Sequence, residues 1–359
     1  MAPQGLGFNK RMLRILATKP GPVASRPALC WRNWVQSWRT PRLACGVLLL
    51  LLGAFSGCAW LDTKQRELAL RPTASRANET EAALRVQPGD QRLLLPSATA
   101  PGDKLAVWWL PQPDPQAPTL LYLHGTLRNL YGNAPKIDAL REAGFAIVAV
   151  DYRGWGDSTA LVPSEASIVV DAWQAWDELK RRQPVPGRRV IFGHSMGSAV
   201  AVTLASQLHH GSDYGALALE SAFTRLPDVA AAAGFWGRVG AAVTTLEFDS
   251  LAKIGRVDAP LLMLHGSADA TVAVALGRRL RDAAPAGVRW VEIPGGNHSW
   301  LHRDAAAVYQ QAFRDLQAGL TPPAVPASAT ATATATAAPA ALPAAPATPL
   351  NLANPATTP

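Results

Sequence analysis

The chain has 359 residues, enough for one α/β domain plus flanking segments, with 34 bases against 26 acids and a formal charge of +8. Residues 1–58 hold eight of the bases (Lys10, Arg11, Arg14, Lys19, Arg26, Arg32, Arg39 and Arg42) and no acid, so the remaining 26 bases equal the 26 acids. That balance excludes a basic nucleic-acid-binding patch on the body, and the confinement of all three cysteines (Cys30, Cys45 and Cys58) to the same stretch excludes disulfides and thiolate chemistry from it.

Residues 1–42 read as a basic leader, longer than an ordinary signal peptide allows before its apolar run, which places the true start downstream of Met1. Residues 43–61 run LACGVLLLLLGAFSGCAWL without a charge. A buried core helix would keep a polar face, and this run has none. Two membrane readings remain open. Its length suffices for a transmembrane helix, with the upstream arginines on the cytoplasmic side. Alternatively, Phe55-Ser56-Gly57-Cys58 resembles a bacterial lipobox, with Cys58 the lipidation candidate; the reading favours this one. Residues 62–89 are polar, with Pro72 and Pro88, and suit a linker or short helix. Residues 319–359, almost all Pro, Ala, Thr and Ser, lack the apolar side chains for a core and are expected to be a disordered tail.

Between these flanks, residues 90–318 alternate strand and helix signals. Arg92 to Leu95 and Leu105 to Leu110 are β-like and predict an antiparallel pair. Thr119 to His124, Phe145 to Asp151, Arg189 to His194, Ala216 to Glu220, Pro260 to His265 and Val288 to Ile293 are short apolar runs, most of them separated by helical patterns. From Ser164 to Arg182, apolar Ile168, Ala172, Trp176 and Leu179 recur at helical spacing, and Lys180, Arg181 and Arg182 close the helix where its dipole favours cations. Strands without a polar face, joined by helices, form a parallel sheet. Reactive groups in such sheets collect beyond the C-terminal ends of the strands.

Gly193-His194-Ser195-Met196-Gly197 stands between one of these strands and the helix-forming Ser198 to Val202. A strand, a sharp turn and a helix push the central hydroxyl out over the sheet edge. An activated serine needs a base, the base an orienting acid, and the developing oxyanion preorganised donors. Asp269 falls on the loop after the penultimate strand and His298 just past the last one. His302 is the competing base and Asp282, inside a helical pattern, the poorer acid. His124, His194 and His265 end strands, where structural hydrogen bonds are expected. Position assigns the oxyanion donors to the backbone N–H groups of Met196 and Thr126.

With these motifs in order, the chain resembles the α/β-hydrolase superfamily. More narrowly it resembles the branch of serine aminopeptidase-like "hydrolase 4" proteins, acyl-protein thioesterases and lysophospholipases. The branch's Asp-Tyr-Arg-Gly-x-Gly-x-Ser loop stands here as Asp151-Tyr152-Arg153-Gly154-Trp155-Gly156-Asp157-Ser158, and Glu220-Ser221-Ala222-Phe223-Thr224 and Phe248-Asp249-Ser250-Leu251 are shared as well. Two positions depart from the pattern. The usual His-Gly-Asn-x-Gly-Asn is His124-Gly125-Thr126-Leu127-Arg128-Asn129, and the proline usual after the acid loop is Ala273.

The resemblance implies an α/β-hydrolase fold, a mostly parallel eight-stranded sheet with helices on both faces and a small cap over residues 224–258. It also implies a serine hydrolase that cleaves carboxylic esters or thioesters through an acyl-enzyme on Ser195, without metal or cofactor. The expected substrate is a small or lipid-like acyl ester, and the enzyme is expected on the envelope side of a membrane, held by its N-terminal anchor. A serine peptidase and a non-catalytic binding protein of the same fold are the alternatives. Peptidases of the branch read a free amine with acidic groups, whereas Asp228, Glu247 and Asp249 are the only carboxylates between Thr224 and Asp258.

Overall fold

The computed structural model describes residues 59–73, 86–320 and Thr348–Pro349. The basic leader, the apolar run as far as Cys58 and the rest of the Pro/Ala/Thr-rich tail lie outside the described residues. Among the described residues no helix is long and apolar enough to cross a membrane.

Eight strands form one sheet: β1 Gln91–Pro96, β2 Lys104–Leu110, β3 Thr119–Leu123, β4 Ala146–Asp151, β5 Arg189–His194, β6 Ala216–Glu220, β7 Leu261–Gly266 and β8 Arg289–Ile293. Their spatial order is β8-β7-β6-β5-β3-β4-β2-β1, and Thr348–Pro349 adds a two-residue ninth strand beside β1. β1 and β2 are antiparallel, as the Pro-bounded sequence pattern predicts, and β3 to β8 are parallel. Every residue of β3 to β7 is buried. Alternate residues feed two cores, because successive side chains of a strand point to opposite faces. Leu121, Leu123, Val148, Val150, Ile191 and Leu219 enter one core, and Leu120, Tyr122, Ile147, Ala149, Val190 and Phe192 the other.

The helices are α1 (residues 59–70), α2 Leu130–Glu142, α3 Glu165–Arg182, α4 Met196–Ala205, α5 Leu226–Ala232, α6 Phe235–Val243, α7 Leu251–Ile254, α8 Val274–Ala283, α9 Leu301–Asp304 and α10 Ala306–Ala318. α3 begins at Ser164, whose hydroxyl accepts the Ser167 N–H, and buries Ile168, Ala172, Trp176 and Leu179 along the face read from their spacing. α4 follows β5 directly and is buried throughout, which suits its mostly apolar composition; Ser198 and Thr203 direct their hydroxyls to backbone carbonyls. β4 and β5 flank β3 on opposite sides, so the chain reverses its direction of travel across the sheet there. Crevices for ligands open at such a reversal, beyond the carboxyl ends of the strands.

Residues 59–70, of which 59–61 read from sequence as the end of the apolar run and 62–70 as the start of a linker or short helix, pack against the domain. Leu70 is 1% exposed within the larger core, Asp62 accepts a 2.7 Å hydrogen bond from Thr245 Oγ1, and Arg66 Nε donates to Asp62 at 2.9 Å. Replacing Leu70 by Ala is expected to lower stability by about 2–5 kcal/mol, the range for a buried leucine. Urea unfolding measures it, and an unchanged midpoint would contradict the docking of this segment.

Candidate active site

The turn after β5 places Ser195 at φ 55° and ψ −123°, a left-handed conformation that costs a non-glycine residue of order 1–3 kcal/mol. The neighbouring backbone explains why both flanking positions are glycine. A Cβ on Gly193 would stand 2.2 Å from the carbonyl oxygen of Gly197, and one on Gly197 would stand 2.1 Å from that of Leu123. Ser195 N–H donates to the Glu220 carbonyl at 2.9 Å, and the Ser195 carbonyl accepts from the N–H and hydroxyl of Ser198 at 2.9 and 2.6 Å. The Glu220 carboxylate pairs in turn with buried Lys136 and accepts the Tyr309 hydroxyl at 3.0 Å.

His298 Nε2 lies 3.0 Å from Ser195 Oγ, and His298 Nδ1 lies 2.8 Å from Asp269 Oδ2. Asp269 Oδ1 accepts the N–H groups of Thr271 and Val272 at 2.9 and 2.8 Å. Burial alone would raise this carboxyl, but bonding from His265, His298 and the Val272 N–H holds it well below the usual carboxylate range. Asp269 is therefore ionised at neutral pH. An ionised carboxylate only accepts, so His298 Nδ1 carries the proton and Nε2 presents its lone pair to the serine hydroxyl.

The remaining histidines sort by their partners. His194 Nε2 donates to the His298 carbonyl at 2.9 Å, and Ser221 Oγ donates to the same oxygen at 3.3 Å, so two groups hold the backbone of His298. Burial keeps His194 neutral, well below the ordinary imidazole value. His265 Nε2 donates to Val272 O at 2.9 Å and stands 3.4 Å from Asp269 Oδ2, bracing the acid loop. His302 has no hydrogen-bond partner at either ring nitrogen among the described residues, and burial lowers it to about 3, so it does not share the role of His298. Asp282 pairs with Arg281 on the surface, away from these groups.

Met196 and Thr126, the two backbone positions expected to serve an oxyanion, both line the pocket above Ser195, and their N–H groups meet no acceptor among the described residues. The pocket has a volume of about 670 Å³. Its walls include Leu127, Met196, Phe223, Leu226, Val229 and Val272, with Gln65, Leu68, Ala69 and Arg71 from α1 and the residue after it. α5 and α6 cover it from the cap segment, leaving Phe235 and Trp236 68% and 81% exposed.

Sequence reasoning missed the brace under the Thr126 loop. Trp155 Nε1 donates to Thr126 O at 3.1 Å, and Asp151 Oδ1 accepts the Leu130 N–H at 2.8 Å. Asp151 opens the Asp-Tyr-Arg-Gly segment, so its motif was visible, but not where its side chain points. The contribution of α1 to the pocket left no signal at all, because it depends on a contact between distant parts of the chain.

A family profile described as "Serine aminopeptidase, S33" matches residues 114–245. An uncharacterized protein of Mycobacterium tuberculosis is 31% identical over 255 residues, covering 70% of this chain and 87% of that protein. The lysophosphatidylserine lipase ABHD12 of Danio rerio is 32% identical over 196 residues, covering 50% of this chain and 51% of the lipase, so the match spans about half of that relative. Among solved structures, a Pyrococcus furiosus esterase has a TM-score of 0.56 at 15% identity, covering 69% of this chain and 97% of its own. An α/β hydrolase of Vibrio vulnificus has a TM-score of 0.58 at 19% identity, with 73% and 94% covered. The chain belongs to the α/β-hydrolase superfamily. Within it, it is a hydrolase of the α/β fold.

One buried pair near the site titrates in opposite senses. His124 Nε2 lies 3.4 Å from Asp151 Oδ1; burial lowers His124 to about 4 and raises Asp151 to about 8. Asp151, raised on folding, stabilises the fold fully below its unfolded value near 4, and this is lost as pH rises through about 8. His124, lowered on folding, stabilises it fully above its unfolded value of about 6.5, and this is lost as pH falls through about 4. The two trends offset each other between those values, leaving Asp151 alone above about pH 6.5. The protein should therefore lose roughly 1–2 kcal/mol between about pH 6.5 and 8, and Asp151→Asn should remove that slope. Urea unfolding across the window measures it, and an identical pH dependence in both proteins would contradict the assignment.

Proposed function

We propose that the protein is a serine hydrolase that cleaves carboxylic esters or thioesters through an acyl-enzyme on Ser195. The observation that carries this reading is the continuous hydrogen-bonded chain from Ser195 Oγ through both nitrogens of His298 to Asp269, at 3.0 and 2.8 Å. His298 Nε2 takes the hydroxyl proton as Ser195 Oγ attacks the acyl carbonyl carbon. The N–H groups of Met196 and Thr126 hold the resulting oxyanion. Collapse expels the alcohol or thiol, which leaves with the proton from His298. Water, deprotonated by the same nitrogen, then attacks the acyl-enzyme and releases the acid. Asp269 stays ionised throughout and stabilises the imidazolium. This chemistry uses no metal or cofactor.

The lipase among the relatives and the apolar walls of the pocket support a lipid-like acyl ester as substrate. The family profile's aminopeptidase description favours a peptide instead. A free amine calls for an acidic partner, and no carboxylate is among the described residues that line this pocket, which weighs towards esters. An N-terminal anchor, either lipidated at Cys58 or membrane-spanning, completes the proposal; it rests on the sequence of residues 43–61 and puts the enzyme on the envelope side of a membrane.

Ser195→Ala should lower kcat/KM for p-nitrophenyl butyrate by about 10³-fold or more while leaving the circular dichroism spectrum unchanged. Asp269→Asn should cost on the order of 10⁴-fold, because an amide in place of the carboxylate favours the wrong imidazole tautomer. Retained turnover in Ser195→Ala would overturn the proposal, and faster cleavage of an aminoacyl-naphthylamide than of the ester would favour the peptidase.

A further inference from the structure

Two arginines, Arg71 and Arg128, line the pocket above Ser195, and no aspartate or glutamate is among the described residues that line it. Several arginines elsewhere in the fold are matched to acids, as in Arg66–Asp62 at 2.8 Å, Arg153–Asp171 at 2.9 Å and Arg225–Asp228 at 2.9 Å. Among the described residues neither Arg71 nor Arg128 has a carboxylate within ion-pair distance. Arg128 is half-buried, and its guanidinium lies 4.3 Å from the centre of the Trp300 ring, two residues beyond His298. Stacking on an aromatic face orients a guanidinium without neutralising it and leaves its N–H edges free. A cation held unpaired beside apolar walls gives up hydration that an anion replaces well. Arg128 stands where the loop pattern that the chain resembles has glycine.

We propose that Arg128, with Arg71 just beyond the end of α1, forms a subsite for an anionic group of the substrate. The preferred substrates are then single-chain acyl esters whose leaving group carries a phosphate or a carboxylate. The acyl chain lies along Phe223, Leu226 and Val229, and the anion takes charge-assisted hydrogen bonds from the Arg128 fork. This rests on the serine-hydrolase reading above and adds to it the charge of the substrate.

The test compares three esters of equal chain length: 1-lauroylglycerol, 1-lauroylglycerol 3-phosphate and lauroyl lactate. The full chain should favour at least one anionic ester over the neutral one by about tenfold or more in kcat/KM, and the two anionic arms tell phosphate from carboxylate recognition. Arg128→Gln should lose at least about tenfold more on the preferred anionic ester than on 1-lauroylglycerol, and Arg128→Lys should fall between. In a Ser195→Ala background, calorimetric binding of dodecyl phosphate should weaken at least about tenfold on adding Arg128→Gln, while dodecyl maltoside should show a smaller change. The binding arm does not depend on turnover, so inactivity towards all three esters would count against the hydrolase reading alone. A wild-type preference for the neutral ester, or equal losses on charged and neutral ligands in Arg128→Gln, would overturn the subsite.

Discussion

The site depends on the closeness with which a strand and a helix approach at the turn after β5. Gly193 and Gly197 leave no room for a Cβ against the carbonyls of Gly197 and Leu123, so the helix N-terminus sits directly on the end of β3. That proximity forces Ser195 to φ 55°, and the hydrogen bond from its N–H to the Glu220 carbonyl holds it there. The strain is offset by the surrounding cores, built from five strands buried over their whole length. It also brings the N–H of Met196, at the start of a helix, next to the loop after β3 that carries Thr126. A serine in relaxed backbone geometry would lose both its exposure and its neighbours.

Around this turn, burial and pairing divide the ionisable groups into those that carry charge and those that do not. Asp269 is held ionised by its hydrogen-bond donors, whereas desolvation keeps His124, His194 and His302 neutral and Asp151 protonated at neutral pH. The neutral groups act as scaffolding. His194 and Ser221 fix the backbone of His298, and His265 and Val272 fix the acid.

Much of this was legible in the sequence because the physics behind it is local. Apolar runs without a polar face announced the buried parallel strands, and the Ile168, Ala172, Trp176 and Leu179 spacing announced the buried face of α3. The glycines around Ser195 and the chain order of serine, aspartate and histidine located the three side chains that the fold brings together. What stayed hidden depends on contacts between distant segments. The docking of residues 59–70 beside the pocket, the indole of Trp155 beneath Thr126 and the stacking of Arg128 on Trp300 follow from tertiary packing, and no periodicity encodes them. Residues 62–89 read as a linker or short helix, and the docking of the helix stayed hidden because one well-buried leucine in a short polar helix carries almost no amphipathic signal.

The central claim is that Ser195 is an activated nucleophile, and only an activated serine forms a covalent bond with a fluorophosphonate at micromolar concentration. Labelling the intact protein and mapping the adduct by mass spectrometry tests this without any choice of substrate. The account predicts a single phosphonylated site at Ser195, with labelling lost when His298 is replaced by Ala. An adduct on another residue, or none in a folded protein, would contradict it.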